Sequence, residues 1–139
     1  MTRDVYHRVY SRIWREPWTQ DQRYLALYLL TCEHRTFEGL YRLPIAYAAA
    51  DMGWNPGKVR RELDALEAAG FVQYDADHEL LWIVKALGKQ SPNGNQAKHA
   101  ARHVAQLPPS TLREAFAKAS ETLSPVLAEA LRVEKEKAA

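Results

Sequence analysis

The segment 39–85 constrains the fold of this 139-residue chain more than any other part, because proline, asparagine and glycine divide it into short elements. A helix is predicted over 44–52, since it opens with a proline and a glycine follows its last residue. A second helix is predicted over 56–69, since an asparagine precedes it, a proline opens it and a glycine follows it. Two helices so closely spaced indicate a helix–turn–helix pair.

Two β-rich runs, 71–74 and 80–84, follow this pair and enclose a polar turn at 75–78. Such runs around a polar turn predict a β-hairpin. Another short strand is predicted at 40–43, before the first helix of the pair. The order predicts a winged helix-turn-helix, a mainly α fold with a small β-hairpin. This fold commonly places its second helix in the major groove of DNA.

The flanking segments predict further helices. Residues 20–34 carry an apolar stripe at helical spacing, including Tyr24. Residues 5–16 repeat apolar side chains every fourth position but are rich in β-branched and aromatic residues, so we predict a short strand followed by a helical turn over 14–18. Alanine and valine repeat along one face of a predicted helix over 96–107.

The predicted organisation has three parts. Residues 1–87 form the DNA-binding domain, and a linker rich in Gly, Pro, Asn and Ser covers 88–95. Residues 96–139 form a short C-terminal helical segment, which serves dimerisation or a second DNA contact, or simply covers the core.

Composition narrows the cellular setting. The net charge is only +2, so a nucleic-acid surface must come from where the charges lie. The single Cys32 sits in an apolar run and is predicted to be a buried, inert thiol in a reducing cytoplasm. No membrane span or signal peptide is recognised, which predicts a cytoplasmic protein.

The helix predicted over 56–69 has an unusual charge order. Its first half is basic and its second half acidic, which the helix dipole disfavours, whereas DNA phosphates near its start would compensate the cations. At helical spacing Arg61 and Asp64 face solvent, and Lys58 and Arg60 flank them. We expect the arginines to contact guanine edges and Lys58 a phosphate. The predicted DNA-binding residues are Asn55, Gly57, Lys58, Arg60 and Arg61.

Two observations support other interpretations. Lys58–Glu62 and Arg60–Asp64 have the spacing of surface ion pairs. The hairpin turn is acidic, so it either points away from DNA or contacts a protein.

No Asp or Glu occurs over 80–112, where several basic residues lie. This stretch predicts either a second phosphate-contacting surface or an ordinary solvated helix face. His99 and His103 have metal-ligand spacing, but no metal site is predicted, because no acidic or Cys ligand lies nearby in sequence. The predicted phosphate contacts are Arg8, Arg12, Lys85, Lys89, Lys98 and Arg102.

The sequence contains no recognised catalytic or cofactor-binding motif. We therefore predict that the protein is not an enzyme and needs no cofactor.

Several short sequence segments, taken in their order along the chain, carry a resemblance to a known family. The chain resembles small helix-turn-helix proteins of actinobacterial phages and prophages over about residues 5–90. It is similar to phage replication initiators of the replisome-organiser or DnaD-like group, which carry an N-terminal winged helix. The segments are VYSRIWREP, YLALYLLT, EGLYRLP, the Leu63–Asp75 run LDALEAAGFVQYD, and LLWIVKAL.

The resemblance implies binding to double-stranded DNA at a replication origin or another single site, self-association, and recruitment of a helicase, helicase loader or other replication protein. It also implies a location in the cytoplasm of a bacterial host. The short C-terminal part departs from longer initiators. The predicted function is sequence-selective DNA binding by a replication-initiation accessory. Alternatives are a transcriptional repressor or excision factor of the same fold, and a protein–protein docking module.

Overall fold

The computed structural model describes residues 7–138. Within this range the chain is mainly helical and carries a small antiparallel sheet, which confirms the predicted mainly α class with a small β part. A 3₁₀ turn, Ser11–Trp14, precedes the α-helices and strands. These are α1 Gln20–Thr31, β1 Leu40–Arg42, α2 Ile45–Met52, α3 Pro56–Ala68, β2 Val72–Asp75, β3 Leu80–Ile83, α4 Ala86–Lys89, α5 Gly94–Gln106, α6 Thr111–Leu123 and α7 Pro125–Ala138.

The three strands pair in the order β1–β3–β2, with β3 in the centre. Leu40 is opposite Trp82 across one ladder, and Val72 is opposite Ile83 across the other. Every residue of β3 is buried, so both faces of the sheet are covered. The predicted strands at 40–43 and in the hairpin therefore join one sheet.

Successive side chains of β3 enter different cores, because a strand points alternate residues to opposite faces. Leu81 and Ile83 pack with α1, α2 and α3. Leu80 and Trp82 pack with α5, α6 and α7. The sheet is therefore the layer shared by two sets of helices.

Side-chain caps fix the starts of the helices that frame the candidate site. Thr19 and Gln22 form a reciprocal capping box at α1, and the Lys58 N–H donates to Oδ1 of Asn55 at 2.8 Å before α3. Gly53 ends α2 in the left-handed region, with a φ of 70°. The predicted bounds of α2 and α3 are thus confirmed to within a residue.

Three local predictions need correction. Residues 7–10 form no strand, the helical turn lies at Ser11–Trp14 rather than at 14–18, and residues 5 and 6 lie outside the described range. Helix α1 ends at Thr31, and Tyr24 is 53% exposed rather than in the apolar stripe. The segment 88–95 is irregular only between the end of α4 and the start of α5.

Candidate nucleic-acid interface

Helix α3 presents its basic half to solvent, as its apolar spacing predicted. Val59, Leu63 and Leu66 are buried, whereas Gly57 and Arg61 are exposed. The first turn of α3 contains no acidic residue, and Asn55 accepts the Lys58 N–H, so the Gly57 N–H and the cations share one end of the helix. This end can receive an anion such as a DNA phosphate.

Lys58 is held by residues that the sequence did not link to it. Its Nζ lies 3.2 Å from Oδ2 of Asp21, at the start of α1, and 4.4 Å from the centre of the Trp54 ring. The Trp54 ring also packs against Tyr24, with 5.9 Å between ring centroids. The ion pair considered with Glu62 is therefore replaced by a contact between helices, which restrains the Lys58 ammonium near the α2–α3 turn.

Arg60 forms the surface ion pair that the sequence offered as an alternative. Its Nε lies 3.1 Å from Oδ1 of Asp64, and its guanidinium stands 5.3 Å from the centre of the Tyr74 ring. The Tyr74 hydroxyl donates to the Leu43 carbonyl at 2.7 Å, so the ring has a fixed position. To contact a base edge, Arg60 would have to leave Asp64.

Arg61 differs from both neighbours. It is exposed, and no carboxylate within the described range lies within 4.0 Å of its guanidinium. A guanidinium without an ion-pair partner can bind a phosphate or a guanine without first breaking an internal contact. Arg61 is therefore the most available cation on α3.

The acidic hairpin turn is partly neutralised within the fold. Asp75 lies 2.8 Å from Nδ1 of His78, and Glu79 accepts a 2.9 Å hydrogen bond from Arg42. Burial opposes ionisation of Asp75, but hydrogen bonds from the His78 side chain and from backbone N–H groups outweigh it and lower its pKa. Only Asp77 keeps an exposed carboxylate without an ion-pair partner in the described part of the turn.

The predicted phosphate contacts divide into separate groups. The Arg8 N–H donates to Oε1 of Gln90 at 2.7 Å, and Lys89 stands 5.7 Å from the centre of the Tyr10 ring. Tyr10 packs edge-on against Phe71, which follows α3, so Arg8 and Lys89 lie towards the far end of α3 from Arg61. Two further exposed residues, Lys85 and Arg12, lie before α4 and in the 3₁₀ turn.

Lys98 and Arg102 lie elsewhere, in a groove between α5 and α7. Arg102 is 3.9 Å from Glu134 of α7. The acid-free stretch in the sequence is therefore not acid-free in space, because α7 supplies carboxylates to its helical part.

His103, one of the two histidines with metal-ligand spacing on α5, has a carboxylate partner in another part of the chain. Its Nδ1 lies 2.6 Å from Oε1 of Glu38, whose side chain is 2% exposed. The two residues are 65 positions apart, so spacing along one helix could not reveal the pair. This contact holds α5 against the loop before β1.

Arg35 lies in the same loop and is also buried. Its Nη1 donates to the carbonyls of Leu30 and Arg8 at 2.8 and 3.1 Å. Burial lowers the pKa of Arg35, and burial together with the Arg35 charge lowers the pKa of His7. Both groups serve the junction between the N-terminal segment and α1.

One group of described residues has the donor atoms for a cation. Nε2 of His34 lies 3.9 Å from Oε1 of Glu33 and 3.7 Å from Oδ2 of Asp51. The Tyr28 hydroxyl donates to Oδ2 of Asp51 at 2.6 Å, and burial, followed by this bond, raises the pKa of Tyr28. Glu33 and Asp51 are exposed, so the same contacts also suit an ordinary surface ion pair.

Cys32 is buried, as predicted, with its Sγ 3.8 Å from the Tyr41 hydroxyl. Burial raises the pKa of the thiol, which keeps it protonated.

Comparisons of this chain with models of protein families, with curated proteins and with solved structures gave no match. No helix in the described range has both the length and the apolar character that crossing a membrane requires.

Proposed function

We propose that this chain is a DNA-binding protein in which α2, α3 and the β2–β3 hairpin act as a winged helix-turn-helix. The order α1–β1–α2–α3–β2–β3 and the strand order β1–β3–β2 support this assignment. In this proposal α3 enters the major groove of double-stranded DNA, and its first turns contact the bases.

The observation that carries the proposal is the exposed, uncompensated Arg61 on the basic half of α3. Its guanidinium has the donor geometry to bind guanine O6 and N7 together. Lys58 and the Gly57 N–H at the start of α3 would hold the flanking phosphates. Lys85, together with Arg8 and Lys89 towards the other end of α3, would contact more distant phosphates.

Within this class, we infer a replication-initiation accessory of the phage type, on the strength of the sequence resemblance alone. A transcriptional repressor or excision factor would use the same α3 contacts. The two roles differ in the DNA target: a palindromic operator supports a repressor, whereas sites clustered at a replication origin support an initiator.

A protein-docking role is the second candidate, and the ion pairs of Lys58 and Arg60 favour it. Two of the three basic residues of α3 already have carboxylate partners, which reduces the charge available to phosphates. In this role the Asp77 end of the hairpin and the exposed face of α3 would contact a protein.

The test is binding to a duplex selected from a randomised pool, measured across a salt series. We expect affinity to fall steeply with salt, because phosphate contacts release counterions. Arg61→Ala should weaken binding to the selected site by about 1–3 kcal/mol, or roughly five- to 150-fold.

Lys118→Ala is the matched control, since Lys118 is an exposed cation on α6, away from α3. It should leave affinity for the selected site unchanged. Equal affinities of wild type and Arg61→Ala would refute the base contact, and an absence of binding at low salt would favour the protein-docking role.

A further inference from the structure

Helix α7 carries an apolar row whose two valines the described part of the chain leaves exposed. Val126 is 49% exposed and Val133 is 40% exposed, and the half-buried Ala130 lies between them. The spacings of four and three residues place them on one face of α7, as in the seam of a coiled coil. Leu127 anchors α7 in the second core and is fully buried on another face, and of the row only Ala130 also packs against that core. Val126 and Val133 are therefore not needed to hold α7 in place.

An acidic residue of α7 borders this row on one side, and basic residues of α5 lie beyond its other side. At about 100° per residue, Glu129 lies about 60° to one side of Val126, and Glu134 about 80° to the other. Arg102 of α5 contacts Glu134, so the Glu134 side continues into the basic edge formed by Lys98 and Arg102. The row therefore has an acidic border at Glu129 and a basic border on α5.

The charges at these borders can serve a second contact. Lys98 is exposed and has no carboxylate within 4.0 Å in the described range. Glu129 pairs only with Arg132 of its own helix there, and both side chains remain more than half exposed. Such a pair on one helix surface is weak and can be exchanged at little cost.

The two helices have a common register. Arg102, towards the end of α5, contacts Glu134, towards the end of α7, and the groove is also lined by Gly94 and Pro125 at the starts of the two helices, which fits helices that run in the same direction. The Arg102–Glu134 offset of 32 residues places Lys98 level with Ala130, one residue from Glu129. The unpaired cation and the weakly paired carboxylate therefore stand at the same height on opposite sides of the row.

We propose that a second copy of this chain binds here, through a parallel two-fold contact between the α7 helices. A two-fold axis parallel to α7 keeps the height of every residue and exchanges left and right. It therefore brings Lys98 of each copy opposite Glu129 of the partner subunit, and it buries Val126, Ala130 and Val133 against their equivalents. An antiparallel contact would instead bring like borders together, which opposes it.

The charge pattern thus selects a second copy as the occupant, because the surface is complementary to itself. This inference does not rest on DNA binding, and its readout, the molar mass in solution, is independent of DNA.

The experiment is sedimentation equilibrium of the full chain over micromolar concentrations. Wild type should dimerise, and Val133→Asp should abolish the dimer, because it buries a charge in the seam. Val9→Asp is the matched control, since Val9 is 47% exposed in the N-terminal segment and should not affect self-association. Circular dichroism would verify that each variant folds.

Charge reversal tests the geometry without disturbing the apolar row. Lys98→Glu and Glu129→Lys should each weaken the dimer about tenfold, because each places like charges opposite one another twice. An equimolar mixture of the two variants should regain wild-type affinity as a heterodimer, since both cross-pairs are then attractive. A monomeric wild type, or a dimer insensitive to Val133→Asp, would overturn the proposal, and a mixture without recovery would overturn the parallel pairing.

Discussion

Gly39 stands where the chain enters β1, at a point with no room for a side chain. Its φ of 80° lies in the left-handed region, and a Cβ there would lie 2.5 Å from the Cβ of Ala86. The Ile83 N–H donates to the Gly39 carbonyl at 2.8 Å, so the sheet holds this backbone in place. Gly53 has a similar φ of 70°, but a Cβ there would meet nothing within 4 Å.

This contrast predicts different costs for the same substitution. Gly53→Ala should lose about 1–2 kcal/mol of unfolding free energy, from the left-handed backbone alone. Gly39→Ala adds a steric overlap with α4 and should lose about 2–5 kcal/mol in total. Urea unfolding of both variants checks the difference, and equal losses would show that α4 moves aside easily.

The β2–β3 hairpin depends on one carboxylate at its turn. Oδ1 of Asp75 accepts the N–H groups of Asp77 and His78 at 3.0 and 3.2 Å, and Oδ2 lies 2.8 Å from the His78 ring. The sequence identified this segment as a polar turn. It did not identify Asp75 as the residue that organises the turn, because the choice among three nearby acids depends on backbone geometry.

The lowered pKa of Asp75 predicts how the stability of this element depends on pH. A carboxyl whose pKa is lower in the folded state stabilises the fold above its unfolded value of 3.8, and this contribution is lost as the pH falls through the folded value. Asp75→Asn should therefore be less stable than wild type at about pH 6, with a difference that shrinks towards about pH 3.

Thermal unfolding across this pH range measures the difference. Asp77→Asn is the matched control in the same turn, because its carboxylate accepts no hydrogen bond from the described residues. Its difference from wild type should be small at every pH. If Asp75→Asn were less stable than wild type by the same amount at every pH, the loss would come from the hydrogen-bond geometry of the amide and not from the missing charge.

Elements with strong local signals were predictable from the sequence. Asn55 and the following proline mark the start of α3, and the alanine repeat marks the buried face of α5, where Ala97, Ala100, Ala101 and Val104 are all buried. Helix α4 was missed because four residues are too few to show a helical period. Of the candidate site, the exposure of Arg61 followed from spacing, whereas the Lys58–Asp21 contact joins different helices and has no sequence signature.

At the scale of the whole molecule, the sheet packs against helices from both of the parts that the sequence analysis separated by a linker. The composition of 88–95 predicted a linker between a DNA-binding domain and a helical segment, yet Leu40, Leu80 and Trp82 pack with the C-terminal helices. The apolar run of β3 carried a clue, because strands buried on both faces lose the alternation of polar and apolar residues. Which helices cover the second face depends on tertiary contacts such as His103–Glu38.

A shared sheet predicts that a defect in one core weakens the other. Phe116 is fully buried among the C-terminal helices, and its ring packs edge-on against Trp82, with 5.8 Å between the ring centroids. Phe116→Ala should lower the unfolding free energy by about 3–5 kcal/mol.

Cys32 lies buried in the other core, so its labelling by a thiol reagent in urea reports when that core opens. We expect the labelling midpoint of Cys32 to fall with the helical signal in Phe116→Ala and to stay near wild type in Trp14→Ala, which truncates an aromatic side chain that is 58% exposed. If the helical signal shifts while Cys32 labelling does not, the C-terminal helices unfold independently and the sheet does not couple the two cores.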